Sequence, residues 1–279
     1  MPRTCLNASK FAQPLKRLCM TDNDLLDRRA LRQSFDQAAR RYDEVAGLQR
    51  EAARRLANMF VLESTPRLVL DLGCGTGYGT ALLASRFPQS QLIFADLAFA
   101  MVQSAQKCNR GLALCADAQA LPIRDGSTDL LYSNCMLQWC NDVAATFIQF
   151  HRTLRAGGSL AFATFGPRTL SELRESFDDG YTHVSRFADV ASLQRQLQAV
   201  GFVDVQMEIE IRVVHYETVL VLMRELKILG ANNATRGRAR GLTGRRAWQR
   251  MLERYEGRRV AQGLPASYEL IYASARKAA

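Results

Sequence analysis

The 279-residue chain is poor in the side chains that build metal centres and disulfide frameworks. Its three histidines, His151, His183 and His215, stand nowhere near a cysteine pair, so no metal site is expected. Seven cysteines (Cys5, Cys19, Cys74, Cys108, Cys115, Cys135 and Cys140) are scattered, odd in number and never spaced C-x-x-C. That usage predicts reduced thiols in a reducing compartment. No apolar run approaches the ~20 residues of a membrane span, and a soluble, cytoplasmic protein is expected. The first residues, Met1-Pro-Arg-Thr-Cys5, lack the apolar core of a secretory signal. Arg3, Lys10, Lys16 and Arg17 precede the first acid, Asp22. This composition reads as a disordered basic arm over 1–27, with a transit-peptide composition as the alternative and Met20 as a second candidate start. A G-x-x-x-x-G-K-[ST] triphosphate loop is also missing, as is an obvious nucleophile–base pair.

What the chain does have is Leu68-Val-Leu-Asp-Leu-Gly-Cys-Gly-Thr-Gly77. An apolar, β-branched run leads into an acid and then a loop with glycine at every second position. That predicts a buried parallel strand entering a turn whose backbone approaches a ligand closely. The next apolar run, Gln91-Leu-Ile-Phe-Ala-Asp96, ends in a second acid. Its separation from the glycines is near the ~20 residues at which a carboxylate reaches the ribose of a nucleotide-type cofactor.

Strands are predicted at Leu68–Asp71, Leu92–Ala95, Leu112–Cys115, Asp129–Ser133, Ser159–Thr164, Val203–Val213 and Tyr268–Ala273. Helical spacing covers Leu25–Ala39 and Leu48–Met59 and recurs between the strands, with Asp142 capping the helix through Phe150 and Leu154 and Ala156-Gly157-Gly158 ending it. Two further helices, one around Val219–Leu226 and one around Trp248–Tyr255, fall before the last strand. The alternation argues for an α/β fold with a mostly parallel sheet and helices on both faces.

The G-x-G-x-G loop with its two acids resembles the first motif of the class I S-adenosylmethionine-dependent methyltransferases. More specific strings occur together: Ser34-Phe-Asp-Gln-Ala-Ala-Arg-Arg-Tyr42, Leu48-Gln-Arg50, Ser133-Asn134 with Leu137-Gln-Trp139, His183-Val-Ser-Arg-Phe187, Leu226-Lys-Ile-Leu-Gly-Ala231 and Leu264-Pro-Ala-Ser-Tyr-Glu269. Together they resemble the biotin-pathway malonyl-acyl-carrier-protein O-methyltransferases from about Leu31 to the C-terminus. The resemblance implies a seven-stranded Rossmann-like domain over 28–279, with a helical lid at 28–62 and a helical substrate or carrier-protein cap at 216–260. It implies methyl transfer from S-adenosylmethionine, without a metal, to the free carboxylate of a malonyl thioester on acyl carrier protein.

Carried over to this chain, the resemblance assigns Gln49, Asp71, Gly73, Gly75, Gly77, Asp96, Leu97, Met101, Asp117 and Ala118 to the cofactor. Tyr42, Asn134, Trp139 and Arg186 are the candidate catalytic residues, Arg186 as the carboxylate anchor. Gln138, His183, Phe187, Arg224 and Lys227 are candidates for the substrate, the two cations being rivals to Arg186.

The net charge of +10 is uneven: 236–259 holds nine arginines against Glu253 and Glu256. Arg246, Arg250, Arg254 and Arg258 recur at helical spacing without balancing acids nearby, which suits an acidic partner such as acyl carrier protein; nucleic acid lacks a recognisable module here. Two alternatives stay open. One is a methyltransferase on a small quinone-like acceptor, and the other is a methyltransferase-like assembly factor of respiratory complex I.

Overall fold

The computed structural model describes residues 25–178, 183–231 and 244–279. The order of elements explains how one end of the sheet becomes a site. Helices α1 (Arg28–Ala38), α2 (Tyr42–Val45) and α3 (Gly47–Met59) precede the first strand. Then come β1 (Leu68–Leu72), α4 (Tyr78–Arg86), β2 (Gln91–Asp96), α5 (Phe99–Cys108), β3 (Leu112–Cys115) and β4 (Thr128–Asn134). A short 3-10 turn (Leu137–Trp139) leads to α6 (Val143–Thr153) and β5 (Leu154–Phe165). The chain closes with α7 (Ser171–Ser176), α8 (Val190–Val200), β6 (Phe202–Tyr216), α9 (Val219–Ile228), α10 (Arg245–Glu256) and β7 (Leu264–Lys277).

The seven strands form one sheet in the order β3-β2-β1-β4-β5-β7-β6. Neighbours from β3 to β5 are parallel, and β7 runs antiparallel to both β5 and β6. Central strands are apolar on both sides, as a sheet covered on both faces requires. Leu70, Leu131 and Phe162 pack on the α6 and α8 side; Val69, Leu130 and Ala161 pack on the α3 side. The strand order reverses between β1 and β4, so the C-terminal ends of these parallel strands open a crevice, the usual ligand position of such sheets.

Three expectations need correction. Helix α6 ends at Thr153 rather than at Gly157-Gly158, and Leu154 already has extended backbone. The Lys277 ammonium donates to the carbonyls of His151 and Leu154 at 2.8 Å, supplying the cap that the glycines were expected to give. Gly157, at φ 71°, instead lies within the irregular start of β5. Helix α1 begins at Arg28, because Asp27 caps it by accepting from the Arg29 and Ala30 amides. The alternating face of β6 is not buried throughout. A bulge at Asp204, φ 53°, shifts the register, Val205 and Met207 then pack against α8, and Ile209, Ile211 and Val213 stay exposed.

Helix α1 lies across the crevice and is fastened at its start and midway along. The Leu26 amide donates to Asn141 Oδ1 at 2.8 Å, and Asn141 Nδ2 returns a bond to the Leu26 carbonyl at 3.0 Å. Ser34 Oγ donates to the Gly230 carbonyl at 3.1 Å, joining α1 to the segment after α9. Among the described residues no helix is long and apolar enough to cross a membrane.

Candidate functional site

The three glycines of the loop share one backbone requirement but differ in what surrounds them. All have positive φ: 76° at Gly73, 54° at Gly75 and 95° at Gly77. A Cβ at Gly73 would meet Met136 Cβ at 2.4 Å, and one at Gly77 would meet Ala105 at 2.9 Å, so both are packing positions. Nothing lies within 4 Å of a Cβ built on Gly75, which faces the crevice. The Gly75 amide donates to Asp96 Oδ2 at 3.0 Å, and Asp96 Oδ1 accepts from the Ala98 amide at 2.9 Å. Burial raises the Asp96 pKa, and those backbone amides oppose the rise.

Asp71 sits deeper, at the end of β1, only 2% exposed. Burial pushes its carboxyl up to about 7, with Asp96 adding repulsion, against a hydrogen bond from Thr80 Oγ1 at 2.6 Å. A carboxylate so poorly solvated favours any cation brought beside it.

A cavity of about 730 Å³ lies under α1, lined by Gly73, Gly75, Asp96, Leu97, Met101, Asp117 and Ala118 among others. These are seven of the ten sequence-assigned cofactor residues. Asp117 is partly engaged: it pairs with Arg28 and accepts from the Gln119 amide at 2.9 Å. Asp71 and Gln49 line an adjoining recess of about 430 Å³, with Gly73 and Gly75 shared between the two. Gly77 lines neither. The recess also holds Arg50 and Asp43, which pair at 3.0 Å, while Thr76 Oγ1 donates to Asp43 Oδ1 at 2.8 Å. Two buried atoms here have no hydrogen-bond partner, the acceptor Gln49 Oε1 and the donor Arg50 Nε. Buried polar atoms are ordinarily paired, and these two stand in the recess wall without a protein partner.

Tyr42 and Asn134 border both the cavity and the recess. Burial, with Cys135, Asp96 and Asp43 nearby, raises the Tyr42 phenol well above its ordinary value and keeps it a neutral donor. Asn134 Nδ2 is spent on the Gln49 carbonyl at 3.0 Å, which ties β4 to α3. Trp139 meets Phe35 of α1 edge-on, ring centres 5.3 Å apart.

On the far side of Trp139 is a second chamber of about 610 Å³. Trp139 belongs to the walls of the cavity and this chamber; Gln49 belongs to those of the recess and this chamber. Its other walls include Phe165, Leu170, Leu173, Val184, Phe187, Leu226 and Leu229, with Gln138, Thr169, His183, Ser185 and Tyr268 as polar members. The His183 ring lies flat on Phe177 at 3.5 Å. Gln138 donates to the Cys135 carbonyl at 2.6 Å and accepts from Thr164 at 3.0 Å. No lysine or arginine is among the described side chains that line this chamber. Arg186, Arg224 and Lys227 are exposed, although Ser185, Phe187 and Leu226 beside them are wall residues.

The arginine face of α10 is less bare than its sequence suggests. Arg250 and Arg254 both pair with Asp178, and Arg258, just beyond the end of α10, pairs with Glu175 at 2.9 Å. These acids come from the chain after β5, too far away in sequence for helical spacing to reveal. Sequence reading also missed Arg28, Asp43, Arg50 and Tyr268. The Leu48-Gln-Arg50 string carried the only signal for Arg50. Among the described residues no three His, Cys, Asp or Glu side chains gather as metal ligands.

Residues 70–162 match a family model described as "Methyltransferase domain". Over 268 residues the chain is 41% identical to the malonyl-[acyl-carrier protein] O-methyltransferase of Gallionella capsiferriformans (strain ES-2), spanning 91% of this chain and 92% of that protein. It is 38% identical over 251 residues to the biotin biosynthesis bifunctional protein BioHC of Cellvibrio japonicus (strain Ueda107), spanning 88% of this chain and 50% of that one. A solved structure of Haemonchus contortus phosphoethanolamine N-methyltransferase 2 in complex with S-adenosyl-L-methionine is similar in fold, with a TM-score of 0.52 and 16% identity over 88% of this chain and 57% of that one.

Proposed function

The chain belongs to the malonyl-[acyl-carrier protein] O-methyltransferase family, and from that premise we propose how its two adjoining spaces divide the reaction. The enzyme moves a methyl group from S-adenosylmethionine to the free carboxylate of malonyl-acyl carrier protein, a step in biotin synthesis. Likeness along nine-tenths of the chain favours this reading over a small quinone-like acceptor or an assembly factor.

The observation that carries the proposal is the Trp139 wall, with the glycine-lined cavity that holds Asp96 and Asp117 on one side and, on the other, a chamber whose described walls carry no Asp, Glu, Lys or Arg. S-adenosylmethionine brings the reactive methyl on a sulfonium. The residues suit it. Gly75 leaves open space for close backbone approach, and Asp96 holds the position at which a ribose is expected. Leu97, Met101 and Ala118 offer an apolar bed for the adenine, with Asp117 at its edge. In the recess, the unpaired Arg50 Nε suits a carboxylate, and Asp71 and Gln49 Oε1 suit an ammonium. Residues 28–62 act as the lid.

The nucleophile needs no base, since a carboxylate with pKa near ~4 is ionised at neutral pH. Tyr42, held protonated by burial, serves as a donor rather than a base. Asn134 and Trp139 border the transferring methyl, and the Trp139 face favours the sulfonium charge. The apolar chamber strips water from the acceptor, with Gln138, His183 and Phe187 in its walls. Fixing both reactants in line supplies up to ~7–11 kcal/mol of the barrier reduction. Arg186, Arg224 and Lys227, exposed beside chamber residues, act at the rim and draw in the anionic acceptor. Arg246, Arg250, Arg254 and Arg258 form the carrier-protein face, where acidic carrier side chains compete with Asp178 and Glu175.

Mass spectrometry of malonyl-acyl carrier protein after incubation with the enzyme and S-adenosylmethionine tests the proposal. A gain of one methyl is expected on malonyl-acyl carrier protein and none on the acetyl form. Protein that binds S-adenosylmethionine yet leaves the malonyl thioester unchanged overturns the assignment of the chamber.

A further inference from the structure

Tyr268 stands near the end of the Leu264-Pro-Ala-Ser-Tyr-Glu269 string, at the chamber side of β7. Tyr268 is 5% exposed, and its side chain forms part of the chamber wall. The polar groups around that wall are unequally committed. Both ends of the Gln138 amide are engaged, and Thr169 Oγ1 accepts from the Glu269 amide at 3.1 Å and donates to its carbonyl at 3.3 Å. The Tyr268 hydroxyl has a looser partner, the Tyr216 hydroxyl at 3.3 Å. Tyr216 has one proton, and it donates that proton to Glu225 Oε1 at 2.8 Å. Tyr268 is therefore the donor between the two phenols, and the oxygen it donates to is neutral.

We propose that Tyr268 holds one oxygen of the acceptor carboxylate by exchanging this neutral partner for the anion, with Tyr216 and Glu225 as the positioning pair. The inference rests on the malonyl-thioester reading of the chamber. A hydrogen bond to an ionised acceptor is shorter and roughly twice as strong as one between neutral groups. The exchange is thus downhill once the anion enters a chamber without competing water. A phenol carries a single donor, so it occupies one oxygen and leaves the other free to attack; a bidentate guanidinium would take both. The Tyr268 phenol is pushed up to about 12 by burial, so it keeps its proton throughout the working pH range. After transfer the methyl ester is neutral, Tyr216 is again the competitive acceptor, and the grip on product weakens.

Steady-state kinetics on malonyl-acyl carrier protein with the full-length enzyme test this, alongside inhibition by the malonyl methyl ester product. Tyr268→Phe is expected to raise the KM for the malonyl thioester about 10- to 100-fold, the range for losing a bond to a charged group. The product inhibition constant and the S-adenosylmethionine Kd should stay as in the parent. Tyr216→Phe removes the internal competitor, so KM should fall several-fold, and kcat should fall because the phenol is no longer held in place. Unchanged KM in Tyr268→Phe overturns the proposal. So does a parallel rise of substrate KM and product inhibition constant in both variants, which marks a packing role. Parent enzyme that turns over no malonyl thioester rejects the underlying function instead.

Discussion

Asp36, on the first helix, caps a helix that is not its own: its Oδ1 accepts from the Ala100 amide at 2.9 Å, in the first turn of α5. Local sequence offers α5 no such group, because its N-cap residue is Ala98. The bond fastens the proposed lid beside Asp96. Asp36→Ala is expected to cost ~1 kcal/mol, the usual worth of a cap. At this size that lowers Tm by roughly 2–4 °C. Asp36→Asn should retain most of it. Thermal melts followed by circular dichroism decide, and equal Tm for the parent and Asp36→Ala would mean that the bond adds nothing.

Asp71 gives a pH signature. Its folded-state pKa of about 7 lies above the ordinary carboxyl value. Between about pH 4 and 7 the unfolded chain is ionised at this position while the fold still holds the proton, so this group's contribution to stability declines as pH rises through that window. Asp71→Asn should therefore raise the Tm of ligand-free protein at pH 8 and change it little at pH 4, while weakening S-adenosylmethionine binding. Calorimetric melts at the two pH values check the sign. A lower Tm for the variant at pH 8 would mean that the ionised carboxylate is stabilising.

Gly73 and Gly75 separate folding from binding. An alanine at 73 places its methyl into Met136, a contact of 2.4 Å, and should lower Tm sharply. An alanine at 75 meets no protein atom and bears only the left-handed backbone cost of ~1–2 kcal/mol. Gly75→Ala should stay folded and lose S-adenosylmethionine affinity, because its methyl projects into the space proposed for that ligand. Titration calorimetry beside thermal melts distinguishes the two. Wild-type affinity in Gly75→Ala would move the ligand away from the loop.

The core of the sheet was legible because β1, β2 and β4 are short, apolar and bounded by turn residues, whereas β5 and β7 run beyond the predicted Ser159–Thr164 and Tyr268–Ala273. The β1 acid, the glycine loop and Asp96 were legible because their backbone geometry constrains which residues can stand there. What escaped depends on partners distant in sequence. Lys277 ends α6 in place of Gly157, and Asp178 meets Arg250, 72 residues further along the chain, and Arg254, visible only once α7 and α10 are packed. The bulge at Asp204 is a one-residue phase change, and periodicity alone reads through it. What sets Arg50 apart is an unpaired Nε, which composition does not show. Tyr268 opens the last predicted strand, and only the packed sheet brings its hydroxyl to that of Tyr216.

The two-way grip of Asn141 on the backbone of Leu26 has a practical consequence for anyone trimming this protein. A preparation shortened to begin at Arg28 would keep every strand, yet it would lose the buried Leu26 and the Asp27 cap and leave the roof held only by its later ties, among them Ser34 to Gly230 and Asp36 to Ala100. Such material should pass ordinary tests of foldedness while letting its small-molecule guest escape more quickly.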